Sequence, residues 1–177
     1  MSINTVNVIS KAQLVTNWTL DDFFKFADKK FQHRPTMALF KRNGQSILLF
    51  TSLKCRCMGF PSNASKTNDT LEEIIKKQHE TLADFAREFV CLLSNLTFVT
   101  STMTYKLPFQ VNYYKNIHCL QFDLEIFCAS KFINNHSSIH INIFHNGIVI
   151  ATGIKSQNQM IEIIRKINKE IVNYLFY

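Results

Sequence analysis

Four glycines and three prolines in 177 residues leave no Gly/Ser-rich or Pro-rich stretch to act as a flexible linker, so the two halves of the chain are expected to share one continuous structural unit. No apolar run approaches the roughly eighteen residues that a membrane-crossing helix needs. The start, Met1-Ser-Ile-Asn4, lacks the basic residues and apolar stretch of a secretory signal. An intracellular chain with no membrane partner is therefore expected. The five cysteines, Cys55, Cys57, Cys91, Cys119 and Cys128, are odd in number and contain no CxxC pair. That spacing supports neither a disulfide framework nor a structural zinc site, and reduced, mostly buried thiols are expected. Catalytic signatures are missing too: there is no Gly-rich phosphate loop, no GxSxG elbow and no paired Cys-His arrangement. Nothing in the sequence supports an enzyme, and no cofactor is expected. The histidines His136, His140 and His145 lack helical i, i+4 placement with a partner carboxylate. On a strand, His136 and His140 share a face that His145 does not, so a metal site is not expected.

Acidic residues are in deficit, 13 against 20 Lys and Arg, for a net charge of +7. Such a balance favours an anionic partner, nucleic acid or a membrane surface. The 46% hydrophobic and 19% charged content is that of a globular chain able to bury a core.

What the chain does have is one pattern written twice. The β-like run Ile139-His-Ile-Asn-Ile-Phe144 meets the turn Asn146-Gly147, a second run Ile148-Val-Ile-Ala-Thr-Gly153, and an amphipathic helix from about Ser156. The same order occurs earlier as Ile47-Leu-Leu-Phe50, a turn near Ser52, Cys55-Arg-Cys-Met-Gly59, and a helix from about Asp69. A period of about half the chain points to a pseudo-symmetric molecule with repeats over 1–90 and 91–177. Asp69 and Glu72 have capping-box spacing, as do Ser156 and Gln159. Leu71, Ile75, Leu82, Phe85 and Phe89 form the apolar stripe of one helix, and Met160, Ile164, Ile167, Ile171 and Leu175 that of the other. Ahead of these, Val6 to Val15 reads as a strand. Thr19-Leu-Asp-Asp22 starts a short helix, and Lys41-Arg-Asn-Gly44 marks a hairpin before Ser46 to Phe50. Cys91 to Val99 restarts the pattern as a strand. Asn95 stands to it much as Asn7 does to the first, and Tyr105 to Phe109 takes the place of the first helix's start.

Alternation in Ile139–Phe144 sets three isoleucines against His140, Asn142 and Phe144 on the opposite face. The aliphatic face suits the long helices. An antiparallel sheet with helices on one side leaves its other face open. A basic open face carrying apolar wedges suits the DNA minor groove, while Phe144 and Phe50 as plain core residues is the competing reading.

These residues resemble the TATA-box-binding protein (TBP) family. The strongest match is Ile143-Phe144-His-Asn-Gly147-Ile-Val-Ile-Ala-Thr152-Gly153-Ile-Lys155, which resembles that family's I-F-x-S-G-K-x-V-x-T-G-A-K signature. The resemblance implies an α+β saddle, in which two pseudo-symmetric repeats form one curved antiparallel sheet with helices on the convex face. It implies binding and bending of double-stranded, A·T-rich promoter DNA through the minor groove, with recruitment of a IIB-like factor and RNA polymerase. It places the protein in the nucleus, or in a cytoplasmic factory if the chain is viral. Phe144 and Phe127 match an intercalating pair, and Phe50 matches the equivalent of Phe144 in the first copy. A fourth phenylalanine falls on Phe31 or Phe40. Asn7 and Asn95 match paired asparagines at base edges, and Thr152 and Ile150 match a threonine and an apolar residue beside them. Asn142 shares their face, and Lys54 and Arg56 supply phosphate contacts. Asp123 and Glu125 match acidic stirrup positions that contact the IIB factor. The first copy departs from the signature with Met58 for the threonine, Arg56 for the apolar residue and Leu53 for the turn glycine. Those departures leave open a second reading, a TBP-fold protein-interaction module without sequence-specific DNA binding.

Overall fold

The computed structural model describes residues 3–30, 36–65, 68–111, 119–121, 129–133 and 138–175. In chain order the elements are β1 (Ile3–Val15), α1 (Leu20–Phe24), β2 (Lys29–Lys30), β3 (Met37–Arg42), β4 (Gln45–Phe50), β5 (Lys54–Gly59) and α2 (Leu71–Glu88). They continue with β6 (Leu92–Lys106), β7 (Leu120–Gln121), β8 (Ala129–Phe132), β9 (His140–Phe144), β10 (Ile148–Ile154) and α3 (Gln157–Leu175). The architecture is α+β, with antiparallel strand pairing and three helices among the described residues. Two compact units result: Asn7–Thr100, the first unit, and Met1–Val6 with Ser101–Tyr177, the second. β1 and β6 each contribute residues to both. No helix among the described residues is long and apolar enough to cross a membrane.

In the first unit the strand order is β2-β3-β4-β5-β1. Val8, Ser10, Ala12 and Leu14 of β1 are buried, while Asn7, Ile9, Lys11 and Gln13 point to the other face, as a period of two requires. Of the buried set, Ala12 and Leu14 join Ala38, Phe40, Ile47, Leu49, Cys55 and Cys57 from the sheet and Leu20, Phe23, Leu82, Phe85 and Ala86 from the helices in one core. Phe89 anchors this core, its ring 5.1 Å from both Phe23 and Phe85 and 5.7 Å from Phe40. Each such ring removed from water contributes about 1.5–3 kcal/mol. The side chain of Gln78, also fully buried, donates to the Val8 carbonyl at 2.9 Å and ties α2 to β1.

Helix α2 begins one residue later than the spacing suggested. Thr70 is its N-cap: its Oγ1 accepts the Glu73 N–H at 3.2 Å, and Glu73 Oε2 accepts the Thr70 N–H at 2.7 Å. Asp and Thr are both good caps by type, and the preceding loop decides between them. Asp69 is used there, accepting the Ser65 N–H at 2.9 Å and pairing with Lys77. These bonds, the one from Lys77 foremost, hold its carboxyl below the usual range. The buried stripe is correspondingly Leu71, Ile74, Gln78, Leu82 and Phe85, with Ile75 only half-buried.

In the second unit the order is β7-β8-β9-β10-β6. Ile139, Ile141 and Ile143 are buried with Val149, Ala151, Met160, Ile164, Ile167 and Ile171, so β9, β10 and α3 meet on the aliphatic face. The Leu175 side chain lies outside the described ones. At the start of α3 the Gln159 N–H donates to Ser156 Oγ at 3.2 Å, while Gln159 Oε1 accepts from the Lys155 N–H at 2.8 Å, closing the box one residue early. Tyr105 and Lys106 are the last residues of β6 rather than a helix start.

The two units repeat one another in their backbone bonds. The Leu53 N–H donates to the Phe50 carbonyl at 2.8 Å and the Leu14 N–H to the Leu53 carbonyl at 2.9 Å; Gly147 to Phe144 and Leu107 to Gly147, both at 2.8 Å, are the counterparts. Gly153 sits where the β10–β6 register shifts, at φ +92°, and a side chain there would collide with the Ser138 carbonyl. Only glycine suits that position. The described cysteines are all free thiols: Cys55, Cys57 and Cys91 are buried and Cys119 is half-buried, with Cys128 outside the described residues.

Candidate nucleic-acid interface

The strand face turned away from the helices carries most of the residues picked out in the sequence. In the second unit, β-sheet register lines up Thr104, Ile150, Asn142 and Lys131 in one row across β6, β10, β9 and β8. The next row is Thr102, Thr152 and His140. Phe144 stands beyond Asn142 on the same strand face, opposite Ala129 of β8. Asn142, Ile150, Thr152 and Phe144 are all half-buried, and the Thr152 hydroxyl donates to the His140 carbonyl at 3.4 Å. The Asn142 amide makes no hydrogen bond among the described residues, which leaves its donors and acceptor for a partner. Phe127, Asp123 and Glu125 lie outside the described residues, as does Phe31.

The first unit builds the same face from different chemistry. Its central row is Leu39, Leu48, Arg56 and Lys11, and its neighbours are Lys41, Ser46, Met58 and Ile9 on one side and Met37 opposite Phe50 on the other. Arg56 thus occupies the place of Ile150, Met58 that of Thr152, and Leu48 that of Asn142. Lys54 pairs across to Gln13. Phe40 is fully buried against Phe85 at 4.9 Å, on the helix side. It is therefore no candidate for a fourth inserting ring; Met37 and Leu39 are the apolar side chains that β3 offers to the open face. Asn7 Oδ1 accepts the Gly59 N–H at 2.7 Å, which fixes the amide and leaves Nδ2 as a donor. Minor-groove base edges present mainly acceptors, the N3 of adenine and the O2 of thymine, so that donor is of the right type. Asn95 is exposed at φ 52°, between Leu93 and Leu96, both packed on the core. One extra residue between two inward side chains is the arrangement of a bulge, and asparagine tolerates the left-handed backbone.

Electrostatically the face has one sign. Among the described residues, no strand contains an Asp or Glu. Among the described residues the side chains of Lys11, Lys54 and Arg56 are exposed and take part in no hydrogen bond or ion pair. Several of the described acids pair elsewhere: Glu88 and Asp28 hold Arg42, and Asp84 holds Arg87. The hydrogen bond from Arg42 keeps the Glu88 carboxyl below its usual range. No group of three or more His, Cys, Asp or Glu among the described residues is placed to hold a metal ion. Of the histidines noted in the sequence, His140 is exposed, His145 is bonded through Nδ1 to the Val111 carbonyl at 2.8 Å, and His136 is outside the described residues.

Sequence reasoning missed Lys11, Met37, Leu39, Leu48, Thr102 and Thr104. Period-two counting from Val8 and from Met103 would have placed Lys11 and the threonines; β3 is apolar at both parities, so its outward face needed the register.

No protein-family model and no curated protein sequence matches the chain. Among solved structures the chain is similar to a TBP of Methanococcus jannaschii, with 17% identity, 98% of this chain and 99% of that one covered, and a TM-score of 0.73. The chain has the TBP fold.

Proposed function

We propose that this chain is a TATA-box-binding-like initiation factor, a binding protein rather than an enzyme. It binds A·T-rich promoter duplexes through the minor groove, bends them, and recruits a IIB-like factor and RNA polymerase. Its place of action is the nucleus, or a cytoplasmic factory for a viral chain. The observation that carries this reading is that the described strands hold no carboxylate, while their open faces carry unpaired cations in the first unit, amide donors, and a phenylalanine at the end of each unit's hairpin. A solvated face has no need of such rings, and an acidic protein partner has little use for the amide donors.

The chemistry follows from the rows. Phe144, and Phe127 beside it by resemblance, would enter a base step and unstack it, a device of which TBP is itself an established case. Asn142, Asn7 and Asn95 would offer donors to base-edge acceptors, and Ile150 would lie against the sugar and base edges. Lys54, Arg56 and Lys11 would neutralise phosphates. Because the minor groove separates A·T from G·C and little more, selectivity would come from how readily the duplex deforms. By resemblance, Asp123 and Glu125 would meet the IIB-like factor.

The test is a titration against TA-rich, GC-rich and single-stranded oligonucleotides at two salt concentrations, followed by Phe144→Ala and Phe127→Ala. Each truncation is expected to weaken binding to the TA-rich duplex about 10- to 100-fold, the equivalent of losing one buried phenylalanine, with the far-UV circular dichroism unchanged. Unchanged affinity would remove the insertion step. No affinity of the parent protein for any duplex would favour the protein-interaction reading, which Met37, Leu39, Leu48 and Met58 on one open face support.

A further inference from the structure

On the first unit, away from the strand rows, a cleft of about 300 Å³ opens between the start of α1 and the turn joining β4 to β5. Its lining is Trp18, Thr19, Leu20, Asp21, Thr51 and Leu53. Trp18 is the chain's single tryptophan and remains 36% exposed. Its ring is braced by Phe23 at 5.2 Å, by Phe89 at 6.0 Å and by a stacked Phe26 at 6.1 Å. One aromatic surface is thus held rigid beside open space. At the rim, Asp21 is exposed and makes no hydrogen bond or ion pair among the described residues. Its neighbour Asp22 is committed, accepting the Thr19 N–H at 2.8 Å and the Thr19 hydroxyl at 2.9 Å.

Leu53 is the aliphatic lining residue that the β4–β5 turn supplies, and its backbone is unusual. It lies at φ 56°, a left-handed conformation that costs a residue with a Cβ about 1–2 kcal/mol. The same turn in the second unit places Gly147 at φ 83°, and there a side chain would meet the Phe109 carbonyl. The first copy therefore holds a strained leucine where the turn calls for glycine, and that leucine packs on the core while also lining the cleft. Strain of this kind persists where the side chain has a use.

An aromatic plate, an aliphatic wall and an uncommitted carboxylate within one small cleft match a long cationic side chain. Its methylene stem would lie on Trp18 and Leu53, and its head would reach Asp21. A nucleic-acid backbone is disfavoured at this rim by its carboxylate. We propose that the cleft is a docking site for a lysine- or arginine-bearing segment of a partner protein. The proposal is independent of the DNA-binding reading.

Because Trp18 is the only tryptophan, its emission reports the cleft directly. The probes are N-acetyl-Leu-Lys-Leu-amide, N-acetyl-Leu-Arg-Leu-amide and N-acetyl-Leu-Glu-Leu-amide, titrated into the full chain. The basic peptides are expected to give a saturable change in the millimolar range and the glutamate peptide none. Asp21→Asn should weaken the basic peptides roughly tenfold, the loss of one charge-assisted contact. Leu53→Gly, which suits the turn, should weaken them several-fold while the circular dichroism stays that of the parent. An equal response to the glutamate peptide, no saturable change, or full affinity in Asp21→Asn with the fold intact would each overturn the proposal.

Discussion

Replacing Lys11 and Arg56 together by glutamine removes two cations that face each other across β1 and β5. Directly opposed residues on one sheet face have Cβ atoms about 4.5–5.5 Å apart, and like charges so placed are destabilising. Charge centres about 6 Å apart in water repel by roughly 0.7 kcal/mol before salt screening. The double substitution should therefore stabilise the free protein slightly, by about 0.5 kcal/mol in urea denaturation. Its effect on DNA should have the opposite sign. If each cation neutralises one phosphate, the slope of log K against log salt falls in magnitude by about 0.9 per residue, or about 1.8 for both. Between about 50 and about 200 mM salt the parent would then lose about 12-fold more affinity than the variant. Fluorescence anisotropy on TA-rich and GC-rich duplexes measures this. The drop in slope should be the same for both sequences, since phosphates carry no sequence. An unchanged slope, or a loss confined to the TA-rich duplex, would refute the assignment of these cations to the backbone. A gain in stability with no loss of binding would show that the pair has no anionic partner.

Three further outcomes follow from the packing. Gly153→Ala forces a side chain against the Ser138 carbonyl at a left-handed φ, and should cost about 2 kcal/mol or more in denaturant titration; a stability equal to the parent would contradict the register shift described for β10. Burial pushes the Cys55 thiol up to about 11 and the Cys57 thiol up to about 12, so both should resist thiol reagents near neutral pH until the protein unfolds. Because these folded values lie above the unfolded ones, the native state holds more protons between about pH 9 and about 12. Stability is therefore full below that window and declines as pH rises through it. Cys55→Ala with Cys57→Ala should flatten that alkaline decline in a thermal melt series.

Much of the scaffold was legible because its signals are local. The isoleucines of β9 alternate, and the stripe of α3 repeats at helical spacing. Ser156 and Gln159 sit three apart. Where signals competed, the sequence could not arbitrate. Asp69 and Thr70 are both good caps, and a loop contact to Ser65 and Lys77 chose between them. The run Met37-Ala-Leu-Phe40 is apolar throughout, so only pairing with β4 shows that Phe40 goes inward and Leu39 outward. The opposition of Lys11 and Arg56 depends on residues 45 positions apart, which no local pattern encodes. The Trp18 cleft is of the same kind, drawing part of its lining from the start of α1 and part from a turn some thirty residues on.

The division of β1 has a consequence for the order in which the molecule can assemble. The first unit is an uninterrupted segment, Asn7–Thr100, whereas the second needs residues from before it and after it. On a chain emerging from its N-terminus, the first unit has all its residues while the second still waits for everything from Ser101 onward. Bringing Ile3–Val6 to a partner nearly a hundred residues away carries a closure entropy on the order of 4 kcal/mol. That term falls on one unit alone. Two halves built on the same turn and the same strand order thus differ in contact order, and the half with Phe144 and Thr152 on its open face is the one completed last.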